Sequence, residues 1–291
     1  MANLKEIRNR ITSVGSTMQI TSAMKMVSAA KLKRAQDAVT QMRPYAEKLK
    51  EILGNLSASL DLSENALAED RGTENVLIIA ITSNRGLCGG FNNNIIKHVN
   101  QLMISEYKNS NVKILALGKK GKDAFKRSDA YYESADTNQV PDIFADLSFS
   151  NTAILAEAAM ARFMDKSFDR VVVVYNSFIN AASQLVKTEQ LLPIIPTVAS
   201  EGTSTADYIF EPSKEEIVEE LIPKSLKIQL FKALLDSNAS EHGARMTAMH
   251  KATDNAKELK RNLTLSYNKA RQAAITNEIL EIVGGAEALN G

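Results

Sequence analysis

Residues 221–280 read LIPKSLKIQLFKALLDSNASEHGARMTAMHKATDNAKELKRNLTLSYNKARQAAITNEIL, and their spacing decides the fold. Steps of seven from Leu221 reach Ile228, Leu235, His242, Met249, Ala256, Leu263, Ala270 and Asn277. A companion series runs through Phe231, Asn238, Arg245, Ala252, Leu259, Ser266, Ala273 and Leu280. Most of these residues are apolar or alanine. A repeat sustained at about 3.5 residues is the pattern of a coiled coil. Small residues at several seam positions let a partner backbone approach closely. Ser213 is the expected N-cap, with Glu216 at the capping-box position. Pro223 is a candidate kink, and Gly284-Gly285 the expected stop.

Residues 1–60 complement that segment. Apolar residues begin at spacings of three and four: Leu4, Ile7, Ile11, Val14 and Met18. The stripe blurs near Thr21, then resumes through Met24, Val27, Ala35, Val39, Met42, Leu49, Ile52, Leu53, Leu56 and Leu60. This predicts a second long amphipathic helix, with Pro44 as the point of a kink. At about 1.5 Å per residue the two helices span on the order of 85 and 105 Å if unbroken. A narrow apolar seam must be buried against something. The economical solution pairs the two terminal helices. The segment between them then returns the chain to near its starting point, which makes the pair antiparallel.

The middle reads as α/β. Residues 76–82 form a buried strand. Residues 91–108 form a helix with Ile95, Val99, Leu102 and Met103 on its apolar face. Residues 112–117 are a second strand, 118–126 a short helix and 152–164 an Ala-rich helix. Residues 170–178 and 183–192 are strands joined by a short polar turn. Strands alternating with helices predict a mostly parallel, Rossmann-like sheet with an antiparallel hairpin at its end. Residues 200–206 read as a loop and 61–73 as a mobile polar connection. The expected organisation is a coiled-coil helix at 1–60, an α/β body at 74–206 and a second coiled-coil helix at 207–291.

The chain has 291 residues, 44% hydrophobic and 24% charged, with a formal net charge of +1, so net charge argues for no particular partner. One cysteine, Cys88, excludes an internal disulfide framework and a cysteine-based zinc cage. Three histidines leave little for a His-rich metal site. His242 and His250 roughly align on one helix face, but a pair without a carboxylate partner is a weak metal site. His242 is better read as a packing defect or register marker. No apolar stretch approaches the roughly 20 residues needed to span a bilayer. The start, MANLKE, lacks a signal-peptide core, so the expectation is an intracellular protein.

Charge distribution says more than net charge. Residues 1–50 hold ten Lys/Arg against three Asp/Glu, and residues 241–275 hold seven against three. If the helices pair, much of the arm is basic, which suits an acidic protein partner or nucleic acid. The basic segments hold few aromatic residues to stack on bases, which counts against nucleic acid. Residues 82–92, TSNRGLCGGFN, follow a buried strand and open a helix, a place where phosphate can sit. Neither the P-loop nor the dinucleotide glycine pattern is met. The loop reads as a structural turn or protein-contact surface, with Cys88 beside Arg85 as a candidate thiol. No nucleophile–base arrangement appears. The physical reading is an α/β body carrying a basic two-helix arm, a mechanical or tethering part of a larger assembly. The alternative is a basic coiled-coil nucleic-acid adaptor.

Three runs carry a resemblance: ITSAMKMVSAAKLKRAQ at 20–36, RGLCGGFN at 85–92 and YNKARQAAITNEILEIVGGA at 267–286. They resemble the gamma subunit of F-type ATP synthases, bacterial type, and the resemblance covers the whole chain. It implies an α/β body with an antiparallel coiled coil of the terminal helices. It implies a central rotor shaft inside three alpha and three beta subunits. The epsilon subunit and the membrane ring of c subunits lie at its foot. Nucleotide and magnesium would be bound by alpha and beta, with no cofactor and no catalytic site here. Met24, Lys25, Arg271, Gln272, Thr276 and Glu278 match positions that contact beta and affect coupling. Arg85, Gly86, Cys88, Gly89 and Gly90 match the loop motif. Asn277 stands where glutamine is usual, and Asn84 where aspartate is frequent. The resemblance implies a peripheral place on the cytoplasmic face of a bacterial inner membrane. A single cysteine excludes the regulatory cysteine pair of chloroplast-type members.

Overall fold

The computed structural model describes residues 4–59, 66–133, 142–194 and 214–290. Its elements are α1 (Leu4–Ser59), β1 (Asn75–Ile81), α2 (Phe91–Ile104), β2 (Asn111–Leu117) and α3 (Lys119–Phe125). They continue with α4 (Phe149–Met164), β3 (Arg170–Phe178), β4 (Gln184–Leu192) and α5 (Lys214–Asn290). The cap at Ser213 and the loop at 200–206 lie outside the described residues.

The sheet has the order β2-β1-β3-β4. β1 pairs in parallel with β2 and β3, and β4 runs antiparallel to β3. A parallel strand covered on both faces reads as a continuous apolar run, and β1 does. Leu77, Ile79 and Ile81 join one layer with Leu155, Ala159 and Phe163 of α4 and Leu226, Leu230 and Leu234 of α5. Val76, Ile78 and Ala80 join the other with Ile95, Val99 and Leu102 of α2 and Phe125 of α3.

The chain forms two compact units, Met1–Ser28 with Met246–Gly291, and Ala29–Arg245. The division cuts through both long helices, because part of each belongs to the sheet core. Ile222, Leu226, Leu230, Ala233 and Leu234 of α5 are buried there, with Ile52 of α1 packed against them.

The first unit is an antiparallel helix pair. The Thr253 hydroxyl donates to the Thr21 hydroxyl at 2.9 Å. Lys25 Nζ lies 3.5 Å from His250 Nδ1. The Lys260 side chain passes over Gly15, 3.6 Å from where a Cβ would stand. Residue numbers rise on one helix as they fall on the other.

The seam differs from its expected register. Met249, Ala256, Leu263 and Ala270 hold, and Ala252 is half-buried, but beyond it the companion positions are Lys260, Tyr267 and Ala274 rather than Leu259, Ser266 and Ala273. Leu259 is 49% exposed. Lys260 takes the inner place by laying Nζ and Cε over Gly15, where no side chain stands in the way. On α1, Val27 is exposed and Ser28 buried. Thr21, where the stripe blurs, is buried too. Both hydroxyls donate to carbonyls one turn back, Thr21 to Thr17 at 3.0 Å and Ser28 to Met24 at 2.8 Å. That satisfies them inside a seam too tight for larger residues.

One further expectation needs correction. Gly284 and Gly285 do not stop α5, which continues to Asn290. Neither adopts the left-handed conformation of a helix stop. Glycine inside a helix costs only about 1 kcal/mol. The expected kink positions, Pro44 and Pro223, lie inside α1 and α5, and both helices run on past them. In residues 66–73, the described part of the polar connection, Ala66, Glu69, Asp70 and Gly72 are exposed while Leu67 and Arg71 reach the body. Leu67 is buried, and the Arg71 guanidinium sits 4.0 Å from the centre of the Phe163 ring.

Candidate functional site

The loop after β1 is held by its own side chains. Asn92 closes it: its Oδ1 accepts the Ser83 N–H at 2.9 Å, and its Nδ2 donates to Ser83 Oγ at 2.8 Å and Cys88 Sγ at 3.2 Å. Gly89 takes φ +59° and Gly90 caps α2. Cys88 is 2% exposed and packs with Phe91 and Ala244. It is a packing residue without access for a reactive thiol.

The loop offers carbonyls, and a guanidinium takes them. Arg245 of α5 donates from Nη2 to the Arg85 oxygen at 2.9 Å. From Nε and Nη2 it reaches the Gly86 oxygen at 3.3 Å. From Nη1 it donates to Glu241 Oε1 at 2.6 Å. Both side chains are nearly buried, at 9% and 10% exposure. Burial pushes the Glu241 carboxyl above its usual range, against the pull of Arg245, Lys31 and Arg85. One turn earlier, Ser240 donates to the Asn176 carbonyl at 2.9 Å. Asn176 in turn donates to the Phe91 carbonyl at 3.2 Å. Gly243 lets the β3–β4 turn approach, since a Cβ there would lie 3.3 Å from Ala181 Cα. Ser240, Gly243 and Arg245 thus clamp α5 to the α/β body. Sequence reading missed this clamp. Its one signal was an arginine at a seam position with a glutamate four residues before it.

His242 sits beside the clamp, with Nδ1 3.5 Å from Arg245 Nη1. Burial, then the charges of Arg245 and Lys31, lower its pKa to about 4. The imidazole is therefore neutral at pH 7. A depressed pKa gives stability that is present above the unfolded value near 6.5 and lost as pH falls toward about 4. His242→Gln should flatten the fall in melting temperature over that interval. An unchanged slope would show that His242 is not the titrating group.

The remaining expected residues lie in the helix pair. Met24 and Lys25 are half-buried on α1. Arg271, Gln272, Thr276 and Glu278 are exposed on α5. The Thr276 hydroxyl donates to the Gln272 carbonyl at 2.9 Å, so it stays within its own helix. From 271 to 286 only Ala274 is even half-buried. That run includes Ile275, Ile279, Leu280, Ile282 and Val283, and Ile282 is 72% exposed. A helix apolar on several faces is normally enclosed. No described residue of this chain encloses it.

A family model described as ATP synthase matches residues 3–289. The ATP synthase gamma chain of Christiangramia forsetii is 61% identical over 292 residues, covering all of both chains. That of Flavobacterium psychrophilum is 60% identical with the same coverage. The chain belongs to the ATP synthase gamma chain family. The Geotalea daltonii gamma chain, at 46% identity, also matches end to end. The fold agrees with a chain of the Euglena gracilis mitochondrial ATP synthase at a TM-score of 0.66. That match has 24% identity and covers 98% of this chain and 94% of that one. A chain of the Tetrahymena thermophila enzyme, from its central stalk and c-ring, gives 0.57 over 80% of this chain and 99% of that one. Membership gives the clamp and the exposed helix end a setting within a gamma chain. Among the described residues, no helix is long and apolar enough to cross a membrane.

Proposed function

We propose that this chain is the central rotor shaft of a bacterial F-type ATP synthase. In this reading α5 and α1 turn inside three alpha and three beta subunits. The α/β body rests with epsilon on the c-ring, at the cytoplasmic face of the inner membrane. Ion flow turns the ring, the ring turns the body, and the body turns the helices. The chain carries no catalytic residue and no cofactor, and nucleotide and magnesium belong to alpha and beta. The observation that carries the reading is the exposed helix end at 271–286, whose apolar residues need an enclosing partner.

A shaft works by differential contact: each beta conformation must meet a different face of the helix. No single contact then has to be strong. Met24, Lys25, Arg271, Gln272, Thr276 and Glu278 are the proposed contacts. The clamp at Arg245 is the step by which the body's rotation is passed into α5.

The deciding experiment mixes purified alpha and beta subunits with this chain. One copy per three alpha–beta pairs, with raised multi-site ATP hydrolysis, supports the reading, and failure to assemble removes it. Within that system, Arg271→Ala plus Gln272→Ala should weaken assembly or ATP-driven proton pumping. Both residues are exposed, so stability of the chain should change by no more than about 0.5 kcal/mol. Normal pumping by the double variant would take these residues out of the contact set.

A further inference from the structure

α5 carries a carboxyl in the middle of its buried stretch. Leu230, Ala233, Leu234 and Leu235 are buried, and Asp236 follows them at 5% exposure. Its Oδ1 is buried without a hydrogen-bond partner, and among the described residues no ion pair reaches it. A buried carboxylate with no bonded partner is costly, and an orphan of this kind calls for a reason. The sheet beside it does not supply a donor, because the Tyr175 hydroxyl is committed to Glu189 Oε1 at 2.6 Å. Burial pushes the Asp236 carboxyl above its usual range, against the pull of Lys232, Arg43 and Lys187, and Glu189 adds to the rise.

The three cations come from three elements. Lys232 stands one turn earlier on α5 itself and so cannot hold one element to another. Lys187 lies on β4, opposite Tyr175. That strand is already tied to α5, since Gln229 Nε2 donates to the Gln190 carbonyl at 3.1 Å. Arg43 comes from α1, is exposed, and has no ion-pair partner among the described residues. α1 acts on the other buried acid of α5 in the same way, because Lys31 pulls on Glu241. Glu241 is already met by Arg245 at 2.6 Å, whereas Asp236 has no bond of its own. Charges attract more strongly, and salt screens them less, where water is excluded. An unbonded carboxylate can therefore still pull on α1.

We infer that Asp236 is a positioning residue: its buried charge holds Arg43, and through it α1, against the α/β body. The inference rests on the rotor reading, in which α1 and α5 must turn together. The carboxylate is kept at a cost in stability, because a neutral side chain of the same shape would fill the space without it. It is distinct from the Arg245 clamp, which joins α5 to the loop at 82–92.

The first two tests use the full chain alone, so they stand whether or not the rotor reading does. A carboxyl raised on folding weakens the folded state once it is ionised, so Asp236→Asn should raise the urea midpoint at neutral pH. Arg43→Met should lower the midpoint in the parent and leave it unchanged in the Asp236→Asn background. The two positions should be coupled by about fivefold or more in the unfolding equilibrium. In carboxyl ¹³C NMR, Arg43→Met should move the Asp236 titration further up, and Arg43→Lys, which keeps the charge, should largely restore it. In the assembled complex, Asp236→Asn should lower ATP-driven pumping relative to ATP hydrolysis. A chain that is more stable and yet couples worse is the signature, because a residue that only supported the fold would lose both together. Equal effects of Arg43→Met in the two backgrounds would overturn the inference, as would an Asp236 titration indifferent to Arg43→Met. So would unchanged pumping per ATP in an Asp236→Asn complex that assembles normally.

Discussion

Arg245→Met should cost the chain about 3–5 kcal/mol of stability, the range for removing one partner of a buried ion pair. Methionine fills much of the same space, so the loss is electrostatic rather than a cavity. Glu241 would keep a carboxyl at 10% exposure with no cation within hydrogen-bond reach. The carbonyls of Arg85 and Gly86 would lose the donors that hold them. Adding Glu241→Gln should return a large part of the loss, because the uncompensated charge goes with it. Arg245→Lys should not rescue: one ammonium cannot reproduce a planar fork that meets a carboxylate and two carbonyls together. Urea denaturation of the three variants checks this order. A cost below about 1 kcal/mol for Arg245→Met would put the pair among exposed ion pairs of small worth and remove the clamp as a structural element. In the assembled complex, Arg245→Met should lower ATP-driven pumping more than ATP hydrolysis. The body would then follow α5 less faithfully while alpha and beta kept their own chemistry.

Much of the fold was legible because period and burial coincide in it. β1 and β3 are continuous apolar runs, which a sheet covered on both faces requires. The seven-residue series of Met249, Ala256, Leu263 and Ala270 is set by the helix itself. The companion series was not legible, because hydropathy ranks Leu259 above Lys260. The structure lays the end of the Lys260 side chain over Gly15, a fit of length and space that hydropathy does not score. Thr21 and Ser28 were illegible for the same kind of reason. Each hydroxyl donates to a carbonyl of its own helix, and no hydropathy scale records that bond. The loop at 82–92 was recognisable as special but not as a guanidinium receptor. Its ligand, Arg245, is 159 residues beyond Gly86 in the chain. Such a contact leaves no local spacing to read.

Gly118→Ala should be the most damaging substitution in the body, at about 4 kcal/mol or more. Two independent costs meet there. The backbone stands at φ +96°, ψ 143°, a region essentially closed to residues with a Cβ. The added carbon would also meet the Thr82 carbonyl oxygen at 2.2 Å and its carbon at 2.7 Å. These are backbone atoms and cannot rotate away. Relief requires the β1 and β2 loops to separate. That breaks the Thr82 N–H to Leu117 bond at 2.8 Å and the Lys120 N–H to Ser83 bond at 3.0 Å. Ser83 is also the residue that Asn92 locks, so the damage should spread into the loop Arg245 grips. Gly284→Ala is the control. Nothing lies within 4 Å of its Cβ position and its helical backbone suits alanine, so it should stabilise by up to about 1 kcal/mol. Opposite signs from one chemical change would assign the Gly118 cost to the close approach of the two loops. A mild effect at Gly118 would mean that the loops separate easily.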